Sequence, residues 1–92
     1  MIKSFNHKGL VDLFKKGSAR KVQAKYAARL RMILAMLNAA AHAGQMDAPG
    51  LRLHPLKGRP AGRYGVWVDE DFRVIFRFEA ANAVEVDCVD HY

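Results

Sequence analysis

A chain of 92 residues, 51% of them hydrophobic and 26% charged, has the composition of one packed domain spanning residues 1–92 and leaves no length for a second. Fifteen lysines and arginines against nine acidic residues give a formal charge of +6, which points to a polyanionic partner. Nothing approaches the roughly eighteen apolar residues of a membrane span and the first residues lack the apolar run of a signal peptide, so a cytoplasmic protein with no membrane partner is expected.

Ile2 to Phe5 alternates apolar and polar residues and predicts a short strand that ends near Asn6. Leu10, Leu13 and Phe14 then fall at helical spacing, with Gly17 and Ser18 as a stop and restart. From Ala19 to about Ala43, Val22, Tyr26, Leu30, Ile33, Leu37 and Ala40 advance by threes and fours, predicting a second, longer helix with one core-facing stripe. Gly44 to Gly50 reads as a connection. Leu51 and Leu53 alternate with Arg52 and His54 ahead of Pro55, which suits a strand end or a sheet edge. Lys57 to Arg63, with two glycines, a proline and three cations, reads as an exposed loop.

Three further strands follow. Their core faces are Tyr64, Val66 and Val68; Phe72, Val74, Phe76 and Phe78; and Val84, Val86 and Cys88. Asp69-Glu70-Asp71 and Ala80 to Asn82 are hairpin-length links. The expected architecture is α+β: an N-terminal strand, two helices, then an antiparallel sheet of three to four strands. Cys88, the lone cysteine, has no partner for an internal disulfide and is expected in the core.

Because the pleat alternates, burying the β-branched and aromatic residues of the Phe72 strand puts Arg73, Ile75 and Arg77 on the opposite face. That face is either the solvated side of a one-sided sheet or a phosphate-binding surface. Lys57, Arg59 and Arg63 in the neighbouring loop favour the second reading. Lys21, Lys25 and Arg29 fall at i, i+4 and i+8 of the predicted second helix, as a solvated stripe or an RNA-backbone footprint. The four histidines show neither i, i+4 pairing nor paired cysteines, so no metal site is expected. No nucleotide-binding glycine loop and no nucleophilic serine signature occur. Acid, base and cation chemistry on a phosphate remains.

Several segments resemble HigB toxins of the RelE-like superfamily. They are Met1-Ile2-Lys3-Ser4-Phe5-Asn6-His7-Lys8-Gly9-Leu10, Leu53-His54-Pro55-Leu56-Lys57-Gly58, Trp67-Val68 with Phe72-Arg73-Val74-Ile75-Phe76-Arg77-Phe78, and Val86-Asp87-Cys88-Val89-Asp90-His91-Tyr92. The resemblance implies a RelE-like fold and an endoribonuclease that cleaves messenger RNA in the ribosomal A site without metal or other cofactor. It implies His54, Lys57, Arg73 and Asp90, with the histidine and aromatic pair His91 and Tyr92, as catalytic positions. It also implies three partners: the 70S ribosome, messenger RNA and a HigA-like helix-turn-helix antitoxin, with operator DNA engaged only through that antitoxin. Two departures stand out. The family commonly ends Asp-Tyr-His where this chain ends Asp90-His91-Tyr92, and it often carries an arginine at the place of Val68, a charge for which Arg63 or Arg77 could substitute.

Metal-free RNA cleavage needs a base for the 2′-hydroxyl, cations for the growing phosphorane charge and an acid for the leaving oxygen. His54 and His91 are the acid–base candidates in either order, Lys57 and Arg73 the phosphate stabilisers, and Tyr92 a stacking or relay residue. The competing reading is a non-catalytic RelE/ParE-fold module that binds RNA or targets gyrase.

Overall fold

The structure, a computed structural model, describes residues 1–59 and 61–90. Helix α1 (Lys8–Lys16) starts at His7, whose Nδ1 accepts from the Leu10 amide, and stops at Gly17. Gly17 adopts a left-handed φ of 70° and its amide returns to the Leu13 carbonyl, the geometry that glycine enters without a Cβ clash. Helix α2 (Ala27–Ala39) follows, then the strands β1 (His54–Pro55), β2 (Arg63–Trp67), β3 (Phe72–Glu79) and β4 (Asn82–Asp90). The four strands form an antiparallel meander in sequence order, so Pro55, which has no amide to donate, lies on an edge strand as expected.

The helices cover one face of the sheet. Leu10 and Leu13 of α1 and Leu30, Ile33, Leu34 and Leu37 of α2 pack with Val66, Val68, Val74, Phe76, Ala83, Val86 and Cys88 in a single core. Phe76 is the largest fully buried side chain. The Cys88 thiol faces this core, and burial pushes its pKa up to about 12.

Three expectations are corrected. The second helix is shorter than its apolar stripe: residues 19–22 form a turn, a 3-10 turn occupies Ala24–Tyr26, and the helix proper ends at Ala39 because Ala40 is extended. Val22, Tyr26 and Ala40 still pack on the core, so the stripe reported burial rather than helicity. The predicted stripe of Lys21, Lys25 and Arg29 therefore does not exist as a helical face.

The last strand changes parity partway. Phe78 pairs with Ala83 and Arg77 with Val84, but Ile75 pairs with Asp87, so β4 carries one extra residue between them. Glu85 sits at this bulge with φ of 55°. Ala83, not Val84, consequently joins Val86 and Cys88 in the core, and Val84 is buried on the other face.

The same bulge explains why the N-terminal segment is not a continuous strand. It runs parallel to β4 through two isolated bridges, Ile2 with Ala83 and Phe5 with Val86, one on each side of the interruption. Ser4 spans the gap, its Oγ accepting from the Glu85 amide at 2.8 Å.

Candidate active site

The open face of the sheet holds a cleft of about 540 Å³ lined by Arg52, His54, Pro55, Leu56, Lys57, Trp67 and Arg73. It brings together three residues expected from the sequence, His54, Lys57 and Arg73, and adds two that were not singled out, Arg52 and Trp67. Both carried a signal. Arg52 shares the parity of His54, and Trp67 lies between Val66 and Val68 and so had to point away from the core. Among the described residues no carboxylate lines the cleft, so none of them neutralises its cations there.

His54 lies across Gly65 of β2, its partner in register. A Cβ at Gly65 would stand 2.9 Å from His54 Nε2 and 3.0 Å from Cε1, with the Ile75 Cγ2 at 3.5 Å. Glycine is thus needed for the ring to lie flat on the sheet. His54 Nδ1 is 2.9 Å from the Arg52 carbonyl, which can only accept, so this bond puts a proton on Nδ1 and leaves the neutral ring's lone pair on Nε2.

Arg73 is aimed by the turn before it. Its Nη1 donates to the Asp69 carbonyl at 2.6 Å and to the Phe72 carbonyl at 3.3 Å. The Asp69 carboxylate accepts the Asp71 and Phe72 amides, both at 2.9 Å, and the Tyr26 hydroxyl at 2.7 Å. Tyr26 also stacks on Phe72 with ring centroids 4.6 Å apart. This clasp ties the turn to the start of α2. The Tyr26 hydroxyl beside Asp69 holds its carboxyl below the usual range, and the same bond pushes the Tyr26 pKa up to about 12.

Two arginines stand over the Trp67 ring. The Arg73 guanidinium carbon stands 4.3 Å from the indole centroid and that of Arg52 4.2 Å, contacts worth roughly 0.5–1 kcal/mol each where exposed. The Trp67 amide donates to the Leu51 carbonyl at 2.6 Å. Arg29 Nη2 donates to the carbonyls of Gly50 and Trp67 at 2.9 and 3.0 Å, fastening the Arg52 segment to the end of β2.

The remaining expected cations divide. Arg29 is this fastener rather than a free RNA contact. Lys21 pairs with Asp12 at 2.9 Å, and Lys25 lies over the Tyr26 ring at 5.0 Å. Arg77 donates to Glu85 at 2.7 Å and Glu79 at 2.9 Å, which holds the Glu85 carboxyl down and removes Arg77 from the supply of free charge. Arg63 leans on the Arg59 carbonyl at 3.4 Å and lies outside the cleft lining, and Arg59 is exposed in the loop. Neither Arg63 nor Arg77 lines the cleft, so neither replaces there the charge absent at the buried Val68; Arg52 is the additional cation. Asp90 pairs with Phe72 and lines a separate recess with His7, Lys21 and Gln23, so it is not among the residues lining the His54 cleft. His91 and Tyr92 lie outside the described residues.

Two outcomes follow from this geometry. Gly65→Ala should push the His54 ring off the sheet and lower any His54-dependent activity about tenfold or more, with a far-UV spectrum and melting temperature close to those of the parent. For the clasp, a depressed Asp69 carboxyl contributes stability that is fully present above its unfolded value of 3.8 and is lost as pH falls through the folded value. The stability difference between the parent and Tyr26→Phe should therefore be widest at neutral pH and shrink on acidification below 3.8, as read from urea midpoints; a difference that grows in acid contradicts the clasp.

A profile of HigB-like toxins, described as the RelE-like toxin of type II toxin-antitoxin system HigB, matches residues 3–92. Endoribonuclease HigB of Proteus vulgaris is 35% identical over 92 residues, which is 100% of both chains. The crystal structure of YafQ from E. coli strain BL21(DE3) superposes with a TM-score of 0.55 at 13% identity, covering 98% of this chain and 93% of that one, and shares its fold. With a match along nearly its whole length and a relative alike from end to end, this chain belongs to the HigB-like family of RelE-like toxins of type II toxin–antitoxin systems.

Proposed function

We propose that the protein is an endoribonuclease that cleaves messenger RNA in the ribosomal A site and thereby arrests translation. The observation that carries the reading is the convergence of His54, Lys57 and Arg73 on one cleft to which no described residue contributes a carboxylate. The endoribonuclease named among its relatives supports it.

The chemistry asked of the cleft is an in-line attack. The 2′-oxygen loses its proton to a base and bonds to the adjacent phosphorus, and the 5′-oxygen leaves with a proton from an acid, giving a 2′,3′-cyclic phosphate and a 5′-hydroxyl. His54 with a lone pair on Nε2 suits the base. Lys57 and Arg73 suit the phosphorane charge; Arg73 is already oriented by two carbonyls before substrate arrives. His91 is the candidate acid, with Asp90 and Tyr92 as its neighbours.

The ribosome supplies the messenger in an extended, accessible form, and an antitoxin of the HigA-like helix-turn-helix kind holds the toxin in check and alone contacts operator DNA. The surplus of positive charge would suit an acidic surface on that antitoxin. A gyrase-targeting or purely RNA-binding role makes no use of a histidine held by Nδ1 over a glycine.

The test is a cleavage assay on translating ribosomes with excess chelator of free metal beyond that which the ribosome itself needs. Messenger ends bearing 2′,3′-cyclic phosphate are expected, and His54→Ala should abolish them; a 3′-hydroxyl product or unchanged messenger ends refute the reading. In the same assay, His91→Ala and removal of Tyr92 should each lower cleavage at least tenfold, about 1.4 kcal/mol in the barrier, with thermal stability little changed. Full activity without both residues would move the chemistry onto His54, Lys57 and Arg73 alone.

A further inference from the structure

Trp67 stands out in the cleft because a half-buried aromatic ring on an open sheet face, beside phosphate-binding cations, is the surface on which unstacked RNA bases settle. In the structure its indole is attended by two guanidiniums whose anchoring differs. Arg73 is fixed by the Asp69 and Phe72 carbonyls. The Arg52 guanidinium has no hydrogen-bond or ion-pair partner among the described residues and is held by the indole alone. Its backbone, by contrast, is tightly set: φ is 51°, the Arg52 carbonyl is engaged by His54, and Leu51 and Gly50 are bonded to Trp67 and Arg29. A left-handed arginine kept in place by its surroundings, with its side chain left free, has the character of a functional position.

We propose that Trp67 is a nucleobase-binding subsite for the nucleotide next to the scissile phosphate, with Arg52 as a movable occupant. An incoming base stacks on the indole and displaces the Arg52 guanidinium, whose hold on the ring is weaker than that of a stacked base. The released guanidinium turns to the phosphate of the same nucleotide, while Arg73 keeps its place. Stacking of this kind accepts any base, so the subsite positions the RNA strand rather than reading its sequence. Like-charge crowding between Arg52 and Arg73 around one ring is relieved once a phosphate lies between them.

This inference rests on the cleft being an RNA site, and the experiment separates the two. Trp67 is the only tryptophan in the chain, so its fluorescence reports the subsite alone. The probes are a non-cleavable 2′-O-methyl RNA trinucleotide and the same trinucleotide lacking its central base, with binding to the full chain followed independently by amide chemical shifts. The intact trinucleotide should quench Trp67 emission and bind about tenfold more tightly than the abasic one. Arg52→Gly, which removes the side chain and suits a left-handed backbone, should weaken both probes severalfold while leaving quenching by the intact one complete at saturation. Equal affinities with unchanged emission would overturn the subsite and leave the RNA cleft standing. Failure of both probes to shift any resonance of the cleft would overturn both.

Discussion

Alternation along β3 governs the rest of the molecule. Phe76 is fully buried and Val74 on the same face is equally inaccessible, so the strand cannot slip by one residue without bringing Arg73 and Arg77 into the core. Fixing that register fixes Arg73 on the open side next to Trp67, with which it pairs, and Ile75 next to Gly65, over which His54 lies. The cleft is thus a by-product of core packing: hydrophobic burial on one face decides which polar groups share the other.

Positive charge is abundant on this protein but unevenly free. Lys21 and Arg77 are matched to carboxylates, Lys25 rests on a tyrosine ring and Arg29 is spent on backbone carbonyls. Arg52, Lys57 and Arg73, by contrast, converge on one recess to which no described residue contributes a carboxylate. A net charge of +6 therefore understates the contrast between this cleft and its surroundings.

Much of this was legible before the fold was known. Period-two patterning gave the faces of β2 and β3, and the glycine and serine after Lys16 gave the end of α1, because these features depend only on local geometry. The polar face of β3 carried Arg73, and the family resemblance carried His54 and Lys57. Strict alternation fails at Val84 because a bulge depends on partners outside its own strand: Glu85 is held there by Arg77 of β3 and by Ser4, 81 residues away. The apolar stripe overextends the second helix because burial and helicity share a spacing of three to four residues, and the part-buried Val22 and buried Ala40 pack on the core without being helical. Arg77 and Arg29 looked available because nothing in the chain order reveals that a glutamate or a carbonyl waits for them.

The lone cysteine has a practical consequence. Cys88 lies under the helices on the core side of β4, and its thiol, with a pKa near 12, is almost wholly protonated at neutral pH. It is nevertheless not sealed off, because Cys88 also lines the recess beside His7 and Asp90. Alkylation of the protonated thiol is therefore slow in the native fold, and its rate reports the excursions that widen that recess or loosen the core beneath it.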